Sequence, residues 1–485
     1  MRALAGSLAC FAVWLASASC GPTVPGSAAK SAHLPAASSA GPHQAAPAKA
    51  AYRERRCEYH VATESMEPLE LHVDARCEGG GVTGFVPTEP SLGVFVRSGP
   101  TDGRFPAQKT APDVTELHYA FNLEALASIA RDQEIAERYG HSLIAPASSF
   151  LLVPDPPEDG TPIRVHFDSP NVESGLKRLA DGAYLVESHE LKVATYTTFG
   201  ARETRDITVG DAAVRLAVLD GKLDLSTDEL ERWVTDAARG VASFFQRPPE
   251  PRTLVALLPV PDRHGIPFGK MLPESGPGLI VYVGEHTGKD ELHADWVLVH
   301  ELFHAGTPSY LGEGKWYDEG LATYFEPLIR TRLGWRTEAD LWAEFLRDMP
   351  RGLDALTRRG LANPVGYPDI YWGGGLFCLL ADLEMRRTTS GAKGLEDGVR
   401  AVLAAGGFSS EVWTLARATE VTDAALGTPL LARLQSEHLE RGSPVDLDAV
   451  FRELGVSIGK NGGIALEQHS PAAKLRRALV YGAGK

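Results

Sequence analysis

The segment HELFH, from His300 to His304, brings two imidazoles and one carboxylate close together in the chain. On an α-helix, residues four apart lie one turn apart on the same face, so His300 and His304 can bind one metal ion. Glu301 then projects beside that ion, where a general base is needed. Asp295 as a candidate N-cap and the stop signal Gly306-Thr307-Pro308 both favour a helix here. The pattern indicates metal-assisted hydrolysis with Glu301 as the base.

A catalytic zinc ion takes three protein ligands and keeps a fourth position for water, so the two histidines require one further ligand. The segment WYDEGLATYFE, from Trp316 to Glu326, follows them and is rich in acids. On a helix, Glu319, Thr323 and Glu326 would share one face, while apolar residues line the opposite face. Such a helix can present a carboxylate to a metal ion and bury its other side.

The pattern Trp316-x-x-Glu319-Gly320-x-Ala322 resembles the third-ligand helix of the gluzincin zinc metallopeptidases, especially the alanyl and glycyl aminopeptidase families. The resemblance implies a thermolysin-like zincin domain in which Glu319 binds one Zn²⁺ ion per chain together with the two histidines. We expect Glu326 to contact a ligand histidine at the ring nitrogen that does not bind the metal. The spacer before Glu319 is somewhat shorter than in the alanyl group, which concerns the subfamily more than the metal site.

A second resemblance lies in the segment YWGGGLF, which begins at Tyr371. It is similar to the Tyr-x-x-Gly helix that follows the zinc helices in the same families, where the tyrosine hydroxyl stabilises the oxyanion. The resemblance therefore implies this role for Tyr371, with Tyr367 as the alternate, although a tyrosine packed at the start of a buried helix has the same pattern. The likeness extends from Thr253 to about Val402.

Together these motifs predict a hydrolase that cleaves peptide bonds. Zinc would lower the pKa of its bound water toward about 7, and Glu301 would accept the proton as that water attacks the carbonyl. A second hypothesis is a non-catalytic zinc-binding envelope lipoprotein that serves as a binding or scaffold module. The intact Glu301 favours the enzyme, because a binding module has no need for a base. His264, His286 and His293 are interpreted as loop histidines that do not bind the metal.

Aminopeptidase specificity lacks one expected residue. Alanyl aminopeptidases bind the substrate's ammonium group with an acid in a Gly-x-Met-Glu-Asn segment upstream of the zinc helix. This chain has Gly269-Lys270-Met271, followed by Leu272-Pro273. Glu274 is the nearest acid that could substitute, and it is also consistent with an ordinary acid near a turn. The sequence therefore predicts a peptidase without assigning exopeptidase or endopeptidase action.

The first 20 residues have the layout of an export signal, with Arg2 ahead of a short apolar run and small residues before Cys20. Cys20 resembles the lipid-accepting cysteine of bacterial lipoproteins, and plain cleavage near the same place is the alternative. Either outcome predicts an exported protein of the cell envelope, periplasm or medium. Of five cysteines, Cys57 and Cys77 are then the expected disulfide pair, and Cys378 is expected to be a buried thiol.

The elements that position the motifs predict an α+β protein with several folded parts. Residues 21–56 form an Ala/Pro/Ser-rich tether, and 57–209 an N-terminal β-rich domain with one helix at Leu123–Tyr139 and strands that include Leu191–Phe199. Residues 210–400 form the zincin catalytic domain, whose first helix begins at a Ser226/Glu229 capping box. Residues 401–485 form a helical C-terminal region.

Composition limits the partners of the protein. The hydrophobic content of 44% is typical of a globular chain that buries a core. A formal net charge of −15 argues against a nucleic-acid partner, because phosphate binding needs a basic face. We therefore expect a peptide or protein substrate and no nucleic acid, and the sequence sets no oligomeric state.

Overall fold

Alternation of apolar and polar side chains predicts strands in the first half of the chain, and the computed structural model contains them. From Leu69 to Glu78, for example, every second side chain is buried. Contacts group Tyr52–Lys485 into one compact unit. The export signal, Cys20 and most of the tether lie outside the described residues, which are 54–97, 103–130, 135–310, 312–460 and 462–482.

The first half of the chain is rich in strands. In chain order its elements are β1 (Arg56–Met66), β2 (Leu69–Glu78), β3 (Gly84–Val86), β4 (Phe105–Pro106), β5 (Gln108–Ala111), β6 (Val114–Asn122), α1 (Leu123–Ala130), β7 (Glu137–Tyr139), β8 (Ser142–Pro146), β9 (Val153–Asp155), β10 (Pro162–Phe167), β11 (Val172–Ser174), β12 (Lys177–Arg178), β13 (Tyr184–Glu187), β14 (Tyr196–Phe199), β15 (Glu203–Val209) and β16 (Ala212–Val218).

Two larger sheets enclose an apolar core in this half. A seven-stranded sheet has the order β12-β13-β10-β1-β2-β6-β5, and a four-stranded sheet has the order β11-β14-β8-β7. Cys57 and Cys77 lie directly opposite each other on β1 and β2 and form a disulfide, which confirms the predicted pair. Cys378 is a free, buried thiol, also as predicted.

Two local predictions in this half are wrong. Of the helix expected from Leu123 to Tyr139, the structure describes Leu123–Ala130, and Glu137–Tyr139 instead forms β7. The cause is tertiary, because β7 pairs with β8 and this pairing outweighs local helix propensity. The strand expected at Leu191–Phe199 begins only at Tyr196, after a 3₁₀ turn at Glu190–Val193, since only the later residues reach partners on β8 and β11.

The second half of the chain is mainly helical. Its elements are α2 (Thr227–Phe245), β17 (Arg252–Val260), β18 (Gly269–Leu272), β19 (Gly278–Gly284), α3 (Lys289–Ala294), α4 (Val297–His304), β20 (Ser309–Tyr310), α5 (Lys315–Arg332), α6 (Glu338–Asp348), α7 (Gly374–Thr388), α8 (Leu395–Ala404), β21 (Val412–Trp413), α9 (Leu415–Leu426), α10 (Leu430–His438), α11 (Leu447–Glu453), β22 (Val456–Ile458), β23 (Ile464–Leu466) and α12 (Pro471–Tyr481).

A five-stranded sheet of order β15-β16-β17-β19-β18 supports these helices. Strands β16, β17 and β19 run parallel, while β18 is antiparallel to β19 and lies at the edge. The predicted capping box at Ser226 and Glu229 begins α2. No helix among the described residues is long and apolar enough to cross a lipid bilayer. The α+β class is confirmed, and the exact domain boundaries stay predictions.

Helices α5 and α7 approach each other closely enough for backbone to touch backbone. A Cβ atom on Gly320 would lie 2.5 Å from the carbonyl carbon of Gly374, and one on Gly374 would lie 2.0 Å from the Trp316 oxygen. No side chain fits in this space, so both positions require glycine. The contact places the start of α7 beside the middle of α5.

We expect Gly320→Ala and Gly374→Ala each to lower the melting temperature, because the added methyl group displaces backbone at a cost of about 1–3 kcal/mol. Gly375→Ala is the matched control, since its Cβ would lie 3.3 Å from the Thr323 side chain and 3.9 Å from the nearest backbone atom, the Gly320 oxygen. Thermal unfolding followed by circular dichroism measures the difference. Equal melting temperatures for the three variants would contradict this account of the packing.

Candidate metal centre

The back of α4 is fixed by aromatic packing, which determines where its histidines point. Phe303 contacts Phe325 of α5 at a ring-centroid distance of 5.8 Å, and it contacts Phe244 and Phe245 of α2 at 5.4 and 5.3 Å. The N-cap residue of α4 is Trp296 rather than the predicted Asp295, but the Asp295 carboxylate, one residue earlier, accepts a hydrogen bond from the Leu298 N–H at 3.3 Å. With this face buried, the face of α4 that carries His300 and His304 is turned toward Asp318 and Glu319 in the first half of α5.

His300, His304 and Glu319 meet on that face. Glu319 Oε2 lies 3.2 Å from His300 Nε2 and 3.6 Å from His304 Nε2, and one ligating atom from each residue lies within 4.8 Å of the others. The side chain of His300 is 2% exposed and that of Glu319 is 15% exposed. Two imidazole nitrogens and a carboxylate oxygen in a buried position form a donor set that fits a zinc ion.

The charge of Glu319 is stabilised by the two histidines. Burial acts to raise the pKa of Glu319, but hydrogen bonds from His300 and His304 outweigh burial and lower it overall. Burial likewise acts to lower the pKa of His304, while the carboxylates of Asp318 and Glu319 raise it well above its usual value. Glu319 and His304 therefore interact strongly as groups of opposite charge.

Asp318 orients His304, and the sequence reasoning missed it. His304 Nδ1 lies 3.1 Å from Asp318 Oδ1, and the Thr307 hydroxyl donates to the same oxygen at 3.2 Å. This contact engages Nδ1 and leaves Nε2 for the metal. The sequence signal for this contact was the adjacent pair Asp318-Glu319. When one of two neighbouring carboxylates on a helix contacts one histidine, the other can reach the second histidine.

Glu301 lies beside the candidate metal ligands. Its Oε2 accepts a hydrogen bond of 2.9 Å from the backbone N–H of Met271 on the edge strand β18. Burial raises the pKa of Glu301, and the neighbouring His300 and His304 oppose that rise. Gly269 permits this approach, since a Cβ there would lie 2.4 Å from Val297. The carboxylate is therefore held between α4 and the open edge of a sheet.

The structure places Tyr371, rather than Tyr367, against the ligand set. The Tyr371 ring stacks on His300 at 5.7 Å with an interplanar angle of 15°. The Tyr367 ring packs against Tyr371, and Tyr367 is 54% exposed. Burial raises the pKa of Tyr371 far above its ordinary value, and the Glu319 and Glu301 carboxylates add to the effect. Its hydroxyl therefore stays protonated and can donate a hydrogen bond.

Glu326 does not contact a ligand histidine, and that prediction is wrong. Its carboxylate is paired with the guanidinium of Arg330, and burial raises the pKa of Glu326 to about 8. Two helical turns separate Glu326 from Glu319, a distance of roughly 10 Å along the axis, so sharing a face does not bring both to the same metal. Arg330 also donates to the Ala294 carbonyl at 3.1 Å, which links α5 to the segment before α4.

The three histidines interpreted as loop residues, and Glu274, contact groups outside the candidate metal centre. His293 stacks on Trp335 at 5.0 Å, His286 contacts Asp224 at 3.0 Å and His264 contacts Glu291 at 3.4 Å. Burial raises the pKa of Glu274, with Glu190 and Lys270 as its charged neighbours. Glu274 therefore faces groups that are not part of the ligand set.

Comparison with known proteins finds a likeness in fold. No family model matches the chain, and no curated protein matches it. The aminopeptidase N family protein from Idiomarina loihiensis superposes with a TM-score of 0.60 at 13% identity, covering 84% of this chain and 81% of that one. The chain has the fold of that protein. The M1 zinc metallopeptidase from Deinococcus radiodurans matches with a TM-score of 0.47 at 16% identity, covering 81% of this chain and 96% of that one.

We expect Asp318→Asn to weaken zinc binding by about 10–100-fold, because the amide cannot hold His304 Nδ1 as the carboxylate does. Competition with a chelator of known affinity measures the change. Asp354→Asn is a suitable control, since Asp354 is paired with Arg358. An unchanged zinc affinity in Asp318→Asn would show that Asp318 does not orient the ligand.

Proposed function

We propose that the chain is a zinc-dependent metallopeptidase with one Zn²⁺ ion held by His300, His304 and Glu319. The supporting observation is that the three ligand atoms lie within 4.8 Å of one another, with Glu301 and Tyr371 beside them. A metal site alone needs neither a base nor an oxyanion donor. The similar fold belongs to a protein named as an aminopeptidase N family protein, which agrees with this assignment.

The chain's own residues supply the proton transfers. Zinc, when bound, lowers the pKa of a coordinated water and polarises the substrate carbonyl. Glu301 accepts a proton from the attacking water and later delivers it to the leaving amine, and its raised pKa suits both steps. The Tyr371 hydroxyl donates a hydrogen bond to the carbonyl oxygen as negative charge develops there.

The open edge of β18 provides a place for an extended peptide. Met271 directs its N–H away from β19 and toward Glu301, and residues two apart on a strand present their backbone groups to the same edge. Gly269 therefore faces the same side as Met271. A substrate that adds to this edge as a further strand would carry its scissile bond past Glu301. We propose this alignment for the peptide.

The sequence alternative, a zinc-binding scaffold, makes a different prediction for the same centre. A scaffold would bind zinc and cleave nothing. Export and a lipid anchor at Cys20 stay predictions, because those residues lie outside the described part of the chain. A digest of a peptide library that contains both free and blocked N-termini separates peptidase from scaffold, and it also separates exopeptidase from endopeptidase action.

The purified chain should carry about one tightly bound zinc ion, and His300→Ala or His304→Ala should remove it, because two remaining ligands cannot hold the metal in a buried site. Elemental analysis after dialysis against a chelator of moderate affinity measures the content. Wild-type protein that is free of tight zinc after expression with ample zinc would rule out the proposed centre.

Glu301→Gln should reduce peptide hydrolysis by about 10²–10⁴-fold while zinc stays bound, because the change removes the proton acceptor but no ligand. The glutamine oxygen can still accept the Met271 N–H, so β18 keeps its contact. Glu420→Gln, on an exposed position of α9, is the control and should retain full activity. Equal cleavage by wild type and Glu301→Gln would contradict the mechanism.

Tyr371→Phe should lower kcat more than it raises KM, since the hydroxyl acts on charge that develops in the transition state. Tyr367→Phe is the matched control, because its ring lies one position farther from His300. Steady-state kinetics on one good library peptide provide both constants. A larger loss of kcat in Tyr367→Phe would transfer the role to that residue.

A further inference from the structure

The solvent face of the seven-stranded sheet carries a second pair of histidines. His60 on β1 and His166 on β10 are direct neighbours in the parallel ladder, although about 100 residues separate them in the chain. Their rings stack at 4.5 Å with an interplanar angle of 6°. The alternating residues Tyr59, Val61 and Val165 are buried, so the two imidazoles lie on the outer face.

Glu58 adds a carboxylate to this pair. Its Oε1 lies 2.8 Å from His166 Nε2, and one ligating atom from each of Glu58, His60 and His166 lies within 4.8 Å of the others. The neighbouring cations have other partners: Arg164, opposite Glu58, donates to Asp181 at 2.5 Å, and Arg76, on the other side, donates to Glu116 at 2.8 Å. Glu58 is therefore not committed to a guanidinium.

Asp168 orients His60 in the way that Asp318 orients His304. His60 Nδ1 lies 3.0 Å from Asp168 Oδ2, which leaves Nε2 for another ligand. The backbone of Asp168 is itself fixed, because its N–H donates to the Val61 carbonyl at 2.9 Å. The carboxylate is thus held in place by the ladder that positions His60.

The same parts occur at both locations. Each has two histidines, one glutamate in direct contact with a histidine Nε2, and one aspartate on the Nδ1 of a histidine. We propose that Glu58, His60 and His166 bind a second divalent transition metal ion, zinc or a similar late first-row ion. Imidazole nitrogens with a carboxylate oxygen are the ligands that such ions prefer. This inference is independent of the proposed peptidase function.

The second site differs from the first in ring orientation and in exposure. His60 and His166 lie in nearly parallel planes, whereas His300 and His304 are inclined at 77°, so one imidazole of the second site rotates when both bind one ion. The side chains of His60 and Glu58 are each 47% exposed, and that of His166 is 27% exposed. Water would complete the coordination, so we expect weaker and faster-exchanging binding than at the buried centre. A bound ion would join β1 to β10 and stabilise the sheet by binding only the folded state.

The test is a zinc titration of the purified, metal-stripped full chain by calorimetry. Wild type should bind two equivalents, one tight and one weaker, whereas His60→Gln and His166→Gln should bind only the tight one. Asp168→Asn should keep both equivalents with the weaker dissociation constant raised by about tenfold or more. His189→Gln is the control. His189 is paired with Glu187, and among the described residues it belongs to no group of side chains that could hold a metal ion.

A wild-type chain that binds one equivalent, or a His60→Gln variant that still binds two, overturns the second site. The tight equivalent reports separately on His300, His304 and Glu319, so failure at one location is distinguishable from failure at the other. Circular dichroism of each variant checks the fold, and the substituted side chains are partly exposed. Loss of the weaker equivalent in His189→Gln would also count against the assignment.

Discussion

Glu319 is a carboxylate buried between two imidazoles, and the free-energy cost of burying its charge determines how the neighbouring helices are arranged. An ionised carboxylate removed from water is strongly destabilising unless charges or hydrogen bonds compensate. His300 and His304 provide that compensation from one side, and a divalent cation would provide it more fully. Helices α4 and α5 must therefore stay in register, because a shift of one turn would leave Glu319 without partners.

Close packing maintains this register. Phe303 and the aromatic residues of α2 fix the back of α4, while Gly320 and Gly374 let α7 approach α5 backbone to backbone. The approach brings the turn that carries Tyr371 over His300. Arg330 adds a polar link from α5 to the segment just before α4. The proposed base and two of the proposed ligands thus come from α4, the third ligand comes from α5, and the proposed oxyanion donor comes from the segment before α7, all within one packed core.

The two histidine groups illustrate how burial changes the function of similar parts. The centre at Glu319 is enclosed, so each interaction is strong and the carboxyl of Glu301 has a raised pKa. The group on the outer sheet face has the same residue types in water, where screening weakens each contact. Burial suits the first group to chemistry, and exposure suits the second to reversible binding of a metal ion.

Features set by local backbone geometry were predictable from the sequence. The helical period places His300 and His304 on one face, the capping box at Ser226 starts α2, and alternation identifies β2. Export and lipidation remain predictions of this kind, because they fall on residues outside the described part of the chain.

Features set by contacts between distant segments were decided only by the tertiary structure. Asp318 rather than Glu326 contacts a ligand histidine because axial distance, not face, limits the reach of a side chain. β7 replaces the end of a predicted helix because β8 offers it a partner. His60 and His166 meet because β1 and β10 are parallel neighbours. Local sequence patterns do not determine which distant strands pair.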